Sequence, residues 1–243
     1  VALQAKMCPF AGYDMPINYA LGVIKEHEWT RENAGMFDVS HMGQAIVRGK
    51  SATDFFSRIT PSSFAKTPNS RAKYTVLTNE QGGIIDDLII TRMEEDAFFV
   101  VFNAGRKDVD IAWMKKQLPA DCTFEELAGN ALVALQGPKA EDAMAAVLGD
   151  KSLPEMPYMT MKSGSWKGAP IFISRLGYTG EDGFEISVPA ERICEFWKAL
   201  LARPDVEAIG LAARDSLRLE MGYPLYGHDL TEQTSPTEAA LSW

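Results

Sequence analysis

The sequence predicts an α+β fold, in which short strands joined as hairpins alternate with amphipathic helices. One observation is a pair of β-rich runs, residues 74–78 and 84–91, separated by a polar, glycine-containing segment at 79–83 that is typical of a hairpin turn. The other is that helical patterns, such as 191–201, lie between further strands without the regular strand–helix–strand repeat of a parallel sheet.

The remaining elements follow in order along the chain. Strands are predicted where β-branched and aromatic residues cluster or alternate with polar ones, at residues 44–48, 98–102, 131–135, 171–174 and 184–188. Helices are predicted up to a stop at Gly35, from a Ser51 cap through Ile59, and over residues 106–116, 141–148, 191–201 and 211–221. No repeat, low-complexity linker, nucleotide-binding glycine motif or membrane-length apolar run interrupts this pattern.

Composition excludes several functional classes. The 243 residues suffice for one large domain or two smaller ones, and a net charge of −9 is unlike that of nucleic-acid-binding proteins. The three cysteines, Cys8, Cys122 and Cys194, form no CxxC pair, and there are three histidines. These counts predict neither a disulfide framework nor a metal site. The chain starts at Val1 without Met, and we interpret both of its ends as the limits of a fragment.

The first candidate site is a pair of aspartates, Asp86 and Asp87, inside the apolar β-run at 82–90. Strand side chains alternate between faces, so one carboxyl is expected to face a pocket and the other water or a turn amide. Desolvation by flanking Ile and Leu residues would raise the pKa of the pocket-facing carboxyl, which suits proton transfer near neutral pH. The alternative is a strand end where both carboxylates are solvated.

The second candidate site is the segment 176–186, which has three glycines within seven residues. These glycines predict a tight loop with a close backbone approach, and Tyr178 lies at its rim. Glu185 follows in a β-run between two apolar residues, where a buried carboxylate needs hydrogen-bond donors. A heterocycle with an adjacent N–H and amino group, as on a pterin or guanine edge, would supply both. The alternative is a turn whose acids face water.

The third candidate site is the helix predicted over 211–221. Arg214 on this helix would either orient an acid such as Asp87 or bind an anionic substrate group. An ordinary surface ladder of Arg214, Asp215, Arg218 and Glu220 is the alternative.

Apolar residues near the first predicted helix are further candidates to line a binding site for a flat ring. Met15, Phe37 and Met42 are adaptable enough to pack against one, although a plain core role is more common for such residues. His41 is interpreted as a structural, hydrogen-bonded residue, because no catalytic partner lies near it in the sequence.

Together these stretches resemble the aminomethyltransferase family, the T-protein of the glycine cleavage system. The resemblance covers essentially the whole chain, in family order, through the motifs FAGYDMP, MFDVSHMGQ, TNEQGGIIDDLII, FNAGRKD, ALQGP, LGYTGEDGFEISVP, GLAARDSLRLEMGYPLYGHD and SPTEAALSW. It implies a three-domain cloverleaf around tetrahydrofolate, in which residues 1–243 form two sequence-interleaved α+β domains, the second centred on about 45–125. The third domain, a C-terminal β-barrel, would begin beyond Trp243, so the truncated chain is expected to show weakened activity.

The resemblance also implies a reaction and its participants. The aminomethyl carbon passes from the lipoyl arm of H-protein to tetrahydrofolate, giving methylene-tetrahydrofolate and ammonia, without a metal. By motif position Asp87 is the catalytic acid, beside the folate nitrogen N5, and Glu185 binds the pterin. The other folate-binding positions implied are Tyr178, Arg214, Asn103, Val101, Tyr74 and Met42.

Three other interpretations stay open from the sequence. A related folate-dependent demethylase would act on a small methylated amine or thioether. A non-enzymatic folate-binding scaffold carries a cysteine in the loop that corresponds to 176–182, where this chain has none. An interaction domain with solvated acids would bind no folate. The expected location is the cytoplasm for a bacterial source and the mitochondrial matrix for a eukaryotic one, the cytoplasm being favoured, with no membrane or nucleic-acid partner.

Overall fold

The computed structural model describes residues 3–242; the chain ends at Val1 and Trp243 lie outside this range. The strands are β1 (Lys6–Phe10), β2 (Tyr13–Asn18), β3 (Ala34–Asp38), β4 (Gly43–Arg48), β5 (Ala72–Thr78), β6 (Ile84–Glu94), β7 (Ala97–Phe102), β8 (Thr123–Glu126), β9 (Asn130–Gln136), β10 (Thr160–Trp166), β11 (Ala169–Arg175), β12 (Gly183–Pro189) and β13 (Val206–Ile209). The α-helices are α1 (Val23–Glu32), α2 (Ala52–Ile59), α3 (Lys107–Gln117), α4 (Ala140–Leu148), α5 (Ala190–Leu201) and α6 (Leu211–Glu220), with short 3₁₀ turns at Ala104–Arg106 and Leu153–Glu155.

The α+β prediction is confirmed, with two local corrections. Gly35 does not stop a helix: α1 ends at Glu32, and Gly35 lies within β3. A Cβ atom on Gly35 would lie 2.4 Å from Oγ1 of Thr30, so the missing side chain allows α1 to pack closely on the strand. Ser51 precedes α2 as predicted, but its side chain makes no capping hydrogen bond.

The chain divides into two compact units, each built from two separate segments. Unit 1 comprises the residues up to His41 together with Gly129–Tyr223, and unit 2 comprises Met42–Ala128 together with the residues from Pro224 onward. No helix among residues 3–242 is both long and apolar enough to cross a membrane.

Unit 1 is organised around a six-stranded sheet with the order β10-β11-β12-β9-β3-β13, in which only the β3–β13 pair is parallel. Alternate residues of β12, Phe184 and Ile186 among them, enter a core with α4 and α5, including Phe196 of α5. Because strand side chains alternate, Glu185 lies on the opposite face of this sheet. Elsewhere in unit 1, β1 and β2 form a hairpin, and α6 packs against α1 and β2.

Unit 2 is organised around an antiparallel five-stranded sheet with the order β5-β6-β7-β4-β8. One face buries a core rich in phenylalanine, to which α2 contributes Phe55 and Phe56 and α3 contributes Met114. Phe98, Val100 and Phe102 of β7 point into this core, so the residues between them point to the other face.

Gly43 on β4 provides a test of how tightly the unit 2 core is packed. A Cβ atom at this position would lie 2.1 Å from the ring of the fully buried Phe102. We expect Gly43→Ala to lower the free energy of unfolding by about 1–3 kcal/mol, as overpacking does. Urea unfolding followed by circular dichroism measures the change. Gly105→Ala is the matched control, since nothing lies within 4 Å of its added methyl group; equal stability of the two variants would contradict the packing.

Candidate active site

The predicted site residues of unit 2 gather on the face of its sheet that is turned away from the phenylalanine core. Val101 of β7 pairs directly with Ile89 of β6, which pairs with Tyr74 of β5, so these three side chains share one face. Asp87 lies two residues before Ile89 and therefore points to the same face. Met42 is partly buried immediately before β4. The sheet register thus brings together residues that are far apart in the sequence.

Asn103, the first residue after β7, forms hydrogen bonds with both aspartates. Its side-chain Nδ2 donates hydrogen bonds to Oδ1 of Asp87 at 2.8 Å, to Oδ1 of Asp86 at 3.0 Å and to the Asp87 carbonyl at 3.1 Å. Its backbone N–H donates to the other Asp86 oxygen at 3.3 Å. The amide donor of Asn103 is therefore used within the protein. Nothing among residues 3–242 donates to its carbonyl oxygen, which remains the group able to contact a ligand.

The two aspartates differ in their surroundings. Asp86 is fully buried, so the alternative of two solvated carboxylates is wrong, while Asp87 is partly buried. Burial, and then repulsion from Asp86, raise the pKa of Asp87 to about 7, against opposing hydrogen bonds from Tyr74 and Asn103. A carboxyl with this pKa exchanges its proton readily at neutral pH, as general acid–base catalysis requires. Tyr74 thus lies close enough to Asp87 to lower its pKa, an effect that the sequence did not indicate.

A third carboxyl, which sequence reasoning missed, belongs to Asp110 of α3. It is fully buried and lies in hydrogen-bond contact with the carboxyl of Asp86. The signal that would have found it is helical spacing: Asp110 lies four residues before the buried Met114, on the apolar stripe of α3.

Arg106 and the C-terminal segment of unit 2 enclose the start of β6. Arg106 donates from Nε to the carbonyl of Ile85 at 3.1 Å, forms an ion pair with Glu232, and lies 5.1 Å from the ring centroid of Tyr226. The Tyr226 hydroxyl donates to the carbonyl of Ile84 at 3.1 Å. These contacts join segments more than a hundred residues apart, and no local pattern in the sequence indicates them.

Glu185 of unit 1 lies on the sheet face opposite the core, between Ser174 of β11 and Ala134 of β9. It is only 9% exposed, yet none of residues 3–242 donates a hydrogen bond to its carboxyl or forms an ion pair with it. Burial raises the pKa of Glu185, and attraction from Arg214 opposes this rise. Glu185 is thus a buried carboxylate that lacks the donors such a group normally has.

Arg214 and Tyr178 accompany Glu185 in unit 1. The guanidinium of Arg214 lies 4.9 Å from the ring centroid of Tyr178, and this ring stacks on Tyr223 at 5.9 Å with an interplanar angle of 20°. Nη1 of Arg214 is buried without a hydrogen-bond partner among residues 3–242. The cluster therefore combines flat aromatic surfaces with an unused acceptor group and an unused donor. Tyr223 was not identified from the sequence.

Of the ion-pair ladder that was the alternative for α6, one pair is present within the helix, and its Arg218 is buried. Arg218 pairs with Asp215 at 2.9 Å, and Glu220 pairs with Arg31 at 2.7 Å and with His27 at 3.1 Å. Arg214 takes no part in these ion pairs and Glu220 pairs with residues of α1, so the ladder interpretation is wrong for both.

The glycine-rich loop is as tight as predicted, and its close backbone approaches are to the protein itself. A Cβ atom on Gly177 would lie 1.7 Å from Oε1 of Gln136, and one on Gly180 would lie 2.3 Å from the sulfur of Met221. Gln136 donates to the carbonyl of Leu176 at 3.0 Å and accepts from the Thr179 hydroxyl at 2.8 Å. Hydrogen bonds with the buried Gln136 thus hold the loop that contains Tyr178.

The residues proposed as an apolar wall are mostly core. Met15 and Phe37 are buried, and His41 is buried with its ring edge-on to those of Phe10 and Tyr13, at 5.4 and 6.4 Å. Among residues 3–242 no group of three or more His, Cys, Asp and Glu side chains is arranged to hold a metal ion.

The raised pKa of Asp87 predicts a pH-dependent stability. The folded chain retains a proton up to about pH 7 that the unfolded chain releases near its ordinary value of 3.8. Stability from this group is therefore complete below the unfolded value and is lost as the pH rises through about 7. We expect Asp87→Asn to gain stability over the wild type, on the order of 2 kcal/mol, between about pH 4 and pH 8. Urea unfolding at several pH values measures this.

The exposed Asp108→Asn is the control for that series and should follow the wild type. If the free energy of unfolding of Asp87→Asn differs from that of the wild type by the same amount at every pH, the raised pKa of Asp87 is wrong.

The whole chain, residues 1–243, matches the family model described as GCVT N-terminal domain. Among curated relatives, the mitochondrial aminomethyltransferase of Saccharomyces cerevisiae is 45% identical over 254 residues, a match that covers 100% of this chain and 64% of that protein. The aminomethyltransferase of Chlorobium phaeovibrioides is 41% identical, covering 98% of this chain and 67% of that protein. The chain thus spans about two thirds of the length of these relatives.

Solved structures agree with this assignment. Glycine cleavage system aminomethyltransferase T from Bartonella henselae matches with a TM-score of 0.94 and 43% identity, over 100% of this chain and 66% of that one. Heterotetrameric sarcosine oxidase from Corynebacterium sp. U-96 matches with a TM-score of 0.54 and 13% identity, over 81% of this chain and 92% of that one, a likeness of fold alone. The resemblance found in the sequence is confirmed: the chain belongs to the GCVT N-terminal domain family.

Proposed function

We propose that this chain is the folate-binding, catalytic part of an aminomethyltransferase, which transfers the aminomethyl carbon from a lipoyl arm of H-protein to tetrahydrofolate and releases ammonia. Family membership and the names of the relatives support this reaction. The observation that carries the proposal is Glu185, a buried carboxylate without a donor among residues 3–242.

The chemistry of Glu185 favours a pterin as its ligand. A ligand that covers this carboxyl must supply donors, because leaving a buried acceptor without a hydrogen bond costs about 1–3 kcal/mol, and more for a charged group. A pterin edge presents a ring N–H beside an amino group, which matches the two oxygens of one carboxylate. Arg214 offers its unused Nη1 to an acceptor on the ligand, and Tyr178 offers a flat surface.

We propose that Asp87 is the group that accepts the proton released in the reaction. Nitrogen N5 of tetrahydrofolate attacks the methylene carbon and loses its proton, while the bond from that carbon to the amine breaks and ammonia leaves. Closure by N10 then breaks the carbon–sulfur bond and releases the dihydrolipoyl arm, so the two folate protons end on the departing amine and sulfur. Asp87 accepts the proton from N5, because its pKa of about 7 lets it be ionised before transfer and protonated afterwards. Asn103 holds its carboxyl in one orientation by a hydrogen bond at 2.8 Å, so little reorganisation is needed at the moment of reaction.

The proposed partner is H-protein carrying its lipoyl arm, as the reaction requires, and no metal is invoked. Relatives include a protein named as mitochondrial and bacterial proteins without that designation. We therefore propose the mitochondrial matrix for a eukaryotic source and the cytoplasm for a bacterial one.

Glu185→Gln tests the pterin contact. The substitution keeps the shape of the side chain and removes its charge, so tetrahydrofolate binding should weaken by roughly tenfold to a hundredfold. Isothermal titration calorimetry measures the dissociation constant. Glu191→Gln, at an exposed acid on α5 of the same unit, is the control and should bind as the wild type does.

Unchanged affinity of Glu185→Gln would remove Glu185 from the pterin site. Should residues 1–243 alone give no binding signal, the same titration on a chimera carrying the C-terminal part of the Bartonella henselae protein separates two causes. Folate binding by the chimera would show that residues 1–243 alone are too short a chain to bind. No binding by the chimera would refute the folate proposal.

Asp87→Asn tests proton transfer separately from binding. We expect turnover with H-protein and tetrahydrofolate to fall by about 10²–10⁴-fold, while folate affinity stays close to that of the wild type. The acidic limb of the pH–rate profile should disappear, because that limb reports protonation of Asp87. Ammonia release measures the rate, with Asp108→Asn as control. A rate loss that leaves the acidic limb in place would show that Asp87 only orients the ligand.

A further inference from the structure

We propose that Asp86 and Asp110 share one proton at neutral pH, and that this carboxyl pair positions Asp87 through Asn103. This inference rests on the proposed function for its meaning in catalysis, but the proton itself is measurable without folate or H-protein. Asp86 and Asp110 are positioning residues in this scheme, because the contacts that carry it run through Asn103 to Asp87.

The contact between the two carboxyls requires a proton. Both oxygens of Asp110 are buried and have no donor among residues 3–242, yet this carboxyl lies in hydrogen-bond contact with Asp86. Ionised carboxylates only accept hydrogen bonds, so two of them in contact repel each other. A proton on one oxygen converts the repulsion into a donated hydrogen bond, and it satisfies the otherwise unpartnered Asp110 side chain.

The charges around the pair favour the same conclusion. Asp87 on β6 adds a third carboxyl, and Arg106 is the cation that acts on Asp110. Arg106 already forms an ion pair with Glu232 of the C-terminal segment. The neighbouring phenols, Tyr226 of that segment and Tyr74 of β5, are neutral hydrogen-bonding groups. Full ionisation would therefore place three negative charges, two of them fully buried, beside one cation that is already paired.

A continuous hydrogen-bond path connects the pair to Asp87. Asp110 donates its proton to Asp86, Asp86 accepts from both the backbone and the side chain of Asn103, and the same Asn103 side chain donates to Asp87. With one shared proton the pair carries a single negative charge. That charge orients the Asn103 amide and contributes to the raised pKa of Asp87. A second charge on the pair would raise the pKa of Asp87 further and delay its ionisation.

Infrared spectroscopy tests for the shared proton directly. In mildly alkaline buffer, above the pKa of about 7 for Asp87, the wild-type chain should still show the carbonyl stretch of a protonated carboxyl. Asp110→Asn should abolish this component, because an amide N–H then replaces the shared proton. Glu185→Gln is the control for the other buried acid and should retain it. The absence of a component that Asp110→Asn removes and Glu185→Gln keeps would overturn the proposal.

NMR titration of the Asp87 side-chain carboxyl in the ligand-free chain tests the charge of the pair. Asp110→Asn leaves one negative charge on Asp86, so the pKa of Asp87 should move by no more than about half a unit. In Asp86→Asn the remaining Asp110 carboxyl stays protonated because it is buried, so the charge is removed and the pKa of Asp87 should fall by about one unit or more. If Asp110→Asn lowers the pKa as much as Asp86→Asn does, the pair carries two charges and the proposal is wrong.

The wild-type infrared measurement needs no variant to fold, and none of these results depends on turnover. A failed folate titration therefore does not contradict the proposed Asp86–Asp110 proton. Likewise, the absence of that proton does not contradict the proposed folate binding.

Discussion

A carboxylate placed inside a β-strand among apolar neighbours must obtain its hydrogen-bond donors from somewhere, and both candidate clusters depend on how this is done. In unit 2 the donors come from the protein itself: Asn103 donates to Asp86 and Asp87, and the proton that we propose for the Asp86–Asp110 pair serves Asp110. In unit 1 the donors for Glu185 are missing among the described residues. The first arrangement accompanies a raised pKa at Asp87, and the second leaves the Glu185 carboxyl without a protein donor among the described residues.

Strand alternation converts these individual residues into sites. In each unit one sheet face is committed to an apolar core, with Phe184 and Ile186 in unit 1 and Phe98 and Phe102 in unit 2. The opposite face is left for Glu185 and Asp87, respectively. A substitution that slipped either strand by one residue would exchange the two faces, and it would bury the wrong side chains. The candidate site residues are therefore fixed by the same register that forms the core.

Sequence reasoning identified the groups whose signal is local. The acids in apolar strands, Asp87 and Glu185, and the tight loop before β12 stand out in the printed sequence. Asp110, Arg106 and Tyr223 do not, because their contacts join distant segments and depend on which helix or loop packs behind which strand. Strands such as β10, with the polar sequence TMKSGSW, lack a clear apolar alternation. Gly35 was misread as a helix stop, because a glycine needed for close packing looks the same in sequence as one that ends a helix.

The central claim is that Glu185 is left without donors in the protein because a pterin supplies them. The most direct test is an NMR titration of the Glu185 side-chain carboxyl, with and without saturating tetrahydrofolate. The account predicts a raised pKa in the free chain, where burial opposes ionisation. It predicts a marked fall of that pKa in the complex, since two charge-assisted hydrogen bonds stabilise the ionised form. A pKa that is the same in the free and the saturated chain would contradict the account.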